Sequence, residues 1–198
     1  MITDSVQKLE SVLELCQNID VKTTPENIDG LWVVPLFSWY DGTLGTAQDV
    51  ITPQDREVMK SSWADFHYCK WPQHYSPMEL YERNESFIST FDAEGMPVVS
   101  FSHMVPRRDL LPSSQYLQLK FLPHLSGATR LEQQIRRIHS HTHVFAHSHI
   151  NAERTFEGVR YIQNALGYPR ERERWGLVPH MVQVWPPQPP EMLPSSGK

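Results

Sequence analysis

Residues 97–112 read PVVSFSHMVPRRDLLP and residues 143–150 read HVFAHSHI. The turn sequence DAEGMP at 92–97 closes one element, and the β-branched and aromatic run after it predicts a short strand carrying His103 to its C-terminal end. THVFAH at 142–147 predicts the next strand, ending in His147. Ligands bind at the carboxyl edge of open α/β sheets, so two strands that each end in histidine say more than either alone. An isolated HxH carries little weight in a chain with ten histidines. Side chains two apart along an extended stretch point the same way, which puts His147 and His149 toward one site and Val144 and Ala146 toward the core. His139 and His141 follow Arg136 and Arg137 at the end of a predicted helix, where cations suit the helix dipole, and are left out of the site.

Outward from these two strands the chain alternates helix and strand, which makes the fold class α/β. Val6, Leu9, Val12, Leu13, Cys16 and Ile19 recur at helical spacing behind a cap at Asp4 or Ser5. LWVVPLFSWY at 31–40 predicts a strand covered on both faces, since it does not alternate. Thr52-Pro53 and Ser76-Pro77-Met78-Glu79 place a hydroxyl at the cap and proline in the first turn, predicting helices over 53–66 and 77–91. Thr129-Arg130-Leu131-Glu132 reads as a capping box opening a helix to about His139. GVRYIQNAL at 158–166 and HMVQVW at 180–185 predict two further strands with no helix between them, and PRERERW at 169–175 a solvated turn or helix face. Trp32, Trp39, Trp63, Trp71 and Trp175 read as core or loop-packing residues. The tail over 187–198 is proline-rich and expected to be disordered.

With 198 residues, 39% of them hydrophobic, the chain is long enough for one domain with its own core. A net charge of −5 with mixed signs along the chain leaves no electrostatic footprint for nucleic acid or anionic membrane, and neither is expected as a partner. The apolar run at 31–37 is too short to span a bilayer and the N-terminus lacks a signal pattern. Cys16 and Cys69 fit no metal spacing and read as reduced thiols, so a cytoplasmic location is expected.

PVVSFSHMVPRRDLLP and HVFAHSHI together resemble the last two motifs of the calcineurin-like metallophosphoesterases, a lone histidine after one strand and Gly-His-x-His after the next. VPLFSWYD (34–41), CKWP (69–72) and GVRYIQNALGYPRER (158–172) resemble a subgroup of the same family, so the likeness runs to about residue 186. The resemblance implies part of a two-layer β-sandwich flanked by helices. It implies two divalent metal ions (Mn, Fe, Zn or Ni) at the sheet edge and hydrolysis of a phosphomonoester or phosphodiester substrate. Carried over, His103 and His147 ligate one metal and His149 the other, with imidazoles oriented by acceptors that the sequence does not identify. Arg107 is the residue suited to a substrate phosphate by bidentate contact, although Arg107 and Arg108 also read as a solvated loop pair.

The chain departs from that pattern. The family's Asp-x-His, Gly-Asp and Gly-Asn-His motifs are not in position, and Ala146 stands where the family has glycine. Asp65-Phe66-His67 spells Asp-x-His but falls in or after a predicted helix, and is set aside. Met1 falls where the family's chain would emerge from Gly-Asn-His, so residues 1–186 are expected to be a partial phosphoesterase domain, incomplete at its N-terminus. Three functional readings follow. The chain is a truncated metallophosphoesterase, inactive alone. It is a non-catalytic module that meets a protein partner, or itself, through exposed apolar surface. Or it is a mononuclear histidine metal-binding protein, ranked last because three neutral ligands leave the cation without a carboxylate.

Overall fold

Strand-forming segments here are short and bounded by turn residues, and they assemble into one mixed sheet. A computed structural model describes residues 4–176, 178 and 180–187. Its strands are β1 (Glu26–Ile28), β2 (Leu31–Pro35), β3 (Val98–Phe101), β4 (Thr142–Val144), β5 (Ala152–Phe156) and β6 (Val159–Gln163), in the order β1-β2-β3-β4-β6-β5. β2, β3, β4 and β6 run parallel, while β1 and β5 are antiparallel edges. Each edge is joined by a two-residue turn, Asp29-Gly30 and Glu157-Gly158, in which both residues have positive φ. That is the pattern of a type I′ hairpin, where the first position tolerates Asp and the second wants glycine.

Register across the four parallel strands aligns Val34, Ser100, His143 and Tyr161 in one row, all of them inaccessible to solvent. Against the sheet pack α4 (Glu79–Ile88) and α6 (Thr129–Arg137). Leu131 and Ile135 of α6, with Ile138 just beyond its end, are fully buried, each contributing roughly 1.5–3 kcal/mol by removal from water. Between the two helices Asn84 Nδ2 donates to Gln134 Oε1 at 2.8 Å, and Gln134 Nε2 donates to the Tyr81 carbonyl at 3.0 Å.

The α/β class stands, and only one sheet of the expected sandwich is built by the described residues. HMVQVW, expected as a strand, is not one: β6 already has β4 and β5 on its two sides, and side chains hold the segment instead. Arg160 donates to the Gln183 carbonyl at 3.1 Å and Asn164 to the His180 carbonyl at 2.7 Å. A helix, α7 (Pro169–Trp175), lies between β6 and this segment. The strand expected over 31–40 ends at Pro35 because side chains of α4 take over its backbone. Asn84 Oδ1 accepts from Phe37 N at 2.9 Å, and Tyr81 Oη donates to the Trp39 carbonyl at 2.5 Å.

The helix expected over 53–66 is broken at Trp63, whose extended backbone separates α2 (Pro53–Ser62) from α3 (Ala64–Tyr68). At α6 the capping box does not form. Ala128 is the cap, and the Glu132 carboxylate is engaged by Tyr161, Arg107 and Arg136. The first helix, α1 (Ser5–Asn18), is capped by Asp4 as expected but buries none of its residues; Val12, Leu15 and Ile19 stay exposed. The tail expected to be disordered lies, from residue 188, outside the described residues. Among the described residues no helix is long and apolar enough to cross a membrane.

Candidate metal centre

Because β3 and β4 are adjacent and parallel, the residues just past their C-terminal ends meet. The Ala146 amide donates to the His103 carbonyl at 3.0 Å, and His103 Nε2 lies 3.1 Å from His147 Nδ1. On its far side His147 Nε2 is 2.9 Å from the Leu125 carbonyl, which can only accept. His147 is therefore protonated on Nε2, its Nδ1 carries the lone pair, and His103 donates to it. Burial lowers the pKa of both rings, that of His147 to about 4 with a further push from His103, so both are neutral at pH 7. Neutral imidazoles whose nitrogens converge are what a transition-metal ion binds.

Two imidazole nitrogens bonded at about 2.0–2.1 Å to one ion at a right or tetrahedral angle stand about 2.8–3.4 Å apart. The observed 3.1 Å fits a single ion. His149 does not join this pair. His147 and His149 both have positive φ, so the chain there is not extended and the two-apart rule fails. Its Nδ1 donates to Glu171 Oε2 at 2.8 Å, its ring tilts against Tyr168, and its Nε2 lone pair is thereby defined. His149 and His147 do line a common cavity of about 390 Å³ with Phe145, Gln163 and Tyr168. Among the described residues no group of three or more His, Cys, Asp or Glu side chains is placed to hold a metal ion. The residues present fit one ion with two ligands in hand, and do not complete a dinuclear site. Ala146 lacks positive φ, so it needs no glycine; the left-handed angles fall on the histidines themselves.

The carbonyl that sets the His147 tautomer is held firmly. Leu125 belongs to α5 (Leu122–Ser126), and the Val105 amide donates to the Ser126 carbonyl at 2.8 Å. Gly127 packs on the same strand-end loop, where an added Cβ would lie 2.0 Å from the Val105 oxygen. His124 donates to the Asp49 carbonyl at 2.8 Å. The Asp49 side chain is itself fully buried and accepts from Arg108 at 2.7 and 2.9 Å, from Ser114 at 2.6 Å and from Thr46. These donors, Arg108 first, hold its carboxyl far below the ordinary range.

The arginines expected as a solvated pair are thus both committed elsewhere. Arg108 closes the Asp49 knot, and Arg107 is clamped between Asp109 and Glu132 with its guanidinium 4.5 Å from the Phe156 ring centre. His143 has a structural role. Ser102 Oγ donates to the Met104 carbonyl and so accepts from His143 Nε2, while Nδ1 accepts from Ser100. Burial alone pushes its pKa down to about 3. His141 is engaged too, its Nδ1 accepting from the Val98 amide at 3.2 Å.

Two residues near the pair were not singled out by the sequence. Trp63 sets its ring edge against His147, centroids 5.7 Å apart, and its indole donates to Asp65 Oδ2 at 3.1 Å. The Asp65 carboxylate acts on both His103 and His147, favouring their charged forms against burial. The Asp-x-His that the sequence sets aside therefore keeps its aspartate on the Trp63 indole, whereas His67 turns to the Ser61 carbonyl at 3.1 Å. No periodicity marks such a meeting, because it depends on the break at Trp63.

No family model matches the chain, and no curated protein matches it in sequence. Among solved structures, phosphopantetheinyl hydrolase (PptH) from Mycobacterium tuberculosis superposes with a TM-score of 0.67 at 19% identity. The match covers 87% of this chain and 64% of that one, so the chain spans less than two-thirds of the length of the structure it resembles. What the two share at this identity is the α/β fold.

Proposed function

We propose that this chain carries the histidine half of a metal-dependent phosphoester hydrolase centre. One observation carries the reading: His103 Nε2 and His147 Nδ1 converge, neutral and 3.1 Å apart, past the ends of adjacent parallel strands. That the solved structure of like fold is by name a phosphopantetheinyl hydrolase supports a phosphoester substrate. His103 and His147 would hold one divalent ion once His103 carries its proton on Nδ1 and gives up its hydrogen bond to His147, with the Leu125 carbonyl fixing the His147 tautomer. His149, oriented by Glu171, would serve a second ion, and the cavity beside it would receive the substrate. A bound divalent ion supplies an activated water near neutral pH and polarises a phosphoryl oxygen. Among the described residues no group of three or more such side chains completes a two-metal centre, and in this reading its carboxylate-bearing ligands come from polypeptide outside these 198 residues. Arg107, held by two carboxylates, has no part in the proposal.

The test is binding first and turnover second. Isothermal titration of the 198-residue chain with Zn²⁺ and Mn²⁺ should give one site, lost in His147→Ala. A longer product with the missing motifs should hydrolyse p-nitrophenyl phosphate or its bis ester in Mn²⁺; activity unchanged by His147→Ala would sink the assignment. A non-catalytic module is the second reading, favoured by the exposed Val12 and Leu15 on α1 and Ile19 just past its end. It predicts no metal site at all.

A further inference from the structure

Helix α1 has an apolar face, yet no residue of it is buried. Two polar clamps hold it on the body. At its start the Ser5 amide donates to the Lys70 carbonyl and the Lys70 amide to Ser5 Oγ, both at 2.8 Å. Further along, Glu10 pairs with Arg83 of α4. Between the clamps the apolar face of α1 meets a cavity of about 650 Å³ instead of a packed core. We propose that this cavity binds an amphipathic anion, an apolar tail bearing a carboxylate or phosphate head. None of His103, His147 and His149 lines it, so the proposal stands apart from the metal reading.

The tail is argued from the walls. Ser5, Lys8, Leu9 and Val12 recur at helical spacing, which puts them on one face of α1, and all four line the cavity. Leu9 and Val12 supply its apolar surface on the helix side. Opposite them stand Phe37, Trp39, Trp71 and Leu80. Trp39 and Trp71 meet edge to face with ring centres 5.2 Å apart, so this wall is set by ring packing and is formed before any ligand arrives. Small-molecule sites are typically cavities of about 300–1,000 Å³ with mostly apolar walls and a few polar groups, and this one fits that description. An apolar chain between the helix and the rings takes both surfaces, and itself, out of water.

The head is argued from the charges. Lys8 and Lys70 both line the cavity and are exposed, and among the described residues neither is in an ion pair. Their aliphatic stems can lie along the apolar walls while the ammonium groups stay in water at the mouth. The other charged groups nearby are already engaged. Arg83, whose guanidinium lies 6.0 Å from the Phe37 ring centre, is neutralised by Glu10, and Asp4 turns its carboxylate to the amides of Val6 and Gln7. Two lysines against one aspartate leave the rim positive in a chain whose net charge is −5. An anion with an apolar tail matches both parts of the site, whereas an organic cation matches only the walls.

Isothermal titration of the 198-residue chain with dodecanoate, dodecyl phosphate and dodecyltrimethylammonium tests the proposal, with tryptophan fluorescence as a second readout and a thermal melt to confirm folding. Both anions should bind at one site and shift the emission of Trp39 and Trp71 to the blue, and the tighter of the two assigns the head group. Shortening dodecanoate to octanoate should weaken binding about fourfold for each buried methylene lost. Val12→Trp, which fills the cavity from the α1 side, should abolish binding while its melt stays cooperative. Lys8→Glu combined with Lys70→Glu should weaken it about tenfold, and Lys22→Glu, whose partner is Asp20, should leave it unchanged. Absence of binding, equal affinity for the ammonium amphiphile, or binding that survives Val12→Trp would overturn the proposal. So would a dimer in analytical ultracentrifugation that Val12→Glu dissociates, since a second copy would then cover this face.

Discussion

Two polar clusters flank α5, and they are built on opposite plans. On one side the Asp49 carboxylate is sealed from solvent and every partner around it is a donor: Arg108 twice, Ser114, and the amide and hydroxyl of Thr46. On the other, His103 and His147 offer two nitrogens to one point and satisfy them only with each other. A buried charge must be fully compensated or it unfolds the protein, so the knot is complete and has nothing left for a ligand. The histidine edge is closed by that one mutual hydrogen bond at a half-open sheet edge, a contact that a ligand can replace. α5 connects the two, with His124 on the knot and Leu125 on His147.

Breaking the knot should have the largest effect on folding. Asp49→Ala leaves the largely buried Arg108 without its carboxylate and should cost about 3–5 kcal/mol, read by urea denaturation. A loss below about 1 kcal/mol would mean that solvent already compensates Arg108. Acidification comes next, through His143 in the central row of the sheet. Its pKa falls from the unfolded 6.5 to about 3 on folding, so the unfolded chain takes up the proton first. Stability is intact above the unfolded value and drops as pH falls through the window between about 6.5 and about 3. The slope from this group is about 1.4 kcal/mol per pH unit, or about 2 kcal/mol by pH 5. Denaturation curves at pH 7 and pH 5 should show that difference, and His143→Gln should flatten it.

A smaller effect on folding, with a consequence for the edge, is expected of Gly127→Ala. Its φ of 166° is ordinary extended backbone, so the obstacle is the Val105 carbonyl rather than dihedral strain. The displacement should cost about 1–3 kcal/mol and move Leu125 from His147. Zn²⁺ affinity should therefore fall alongside stability; unchanged affinity would show that α5 does not set the His147 tautomer. Smallest of all, Glu171→Gln replaces the partner of His149 at a partly exposed site and should shift the melting free energy by less than about 1 kcal/mol. The edge would then differ from the knot as supposed, tolerant in folding and sensitive in binding.

The histidine strands were legible in the sequence because a β-branched run bounded by turns leaves little choice of element, and because both ended in the same residue. The two edge strands were not. β1 is three residues long and β5 reads Ala-Glu-Arg-Thr-Phe, so neither has the pattern of a buried strand, although Asp29-Gly30 is a hairpin signal. HMVQVW failed in the other direction. It has strand propensity but no unpaired ladder on β6 to join. Expecting His147 and His149 on one face assumed extended backbone, and their positive φ values turn them to different partners.

By itself the sequence determined the α/β alternation, the delivery of His103 and His147 to one sheet edge, and the chemistry that imidazoles there suit. Periodicity and turn residues act locally, so these features survive any uncertainty about packing. The tertiary structure alone decided which nitrogens are free. A backbone carbonyl at Leu125 and a carboxylate at Glu171 fix the two tautomers. It also decided that Arg107 and Arg108 are locked in ion pairs, and that the helix breaks at Trp63, whose indole holds Asp65. Such pairings join residues tens of positions apart, and their energies depend on burial, which no local pattern encodes.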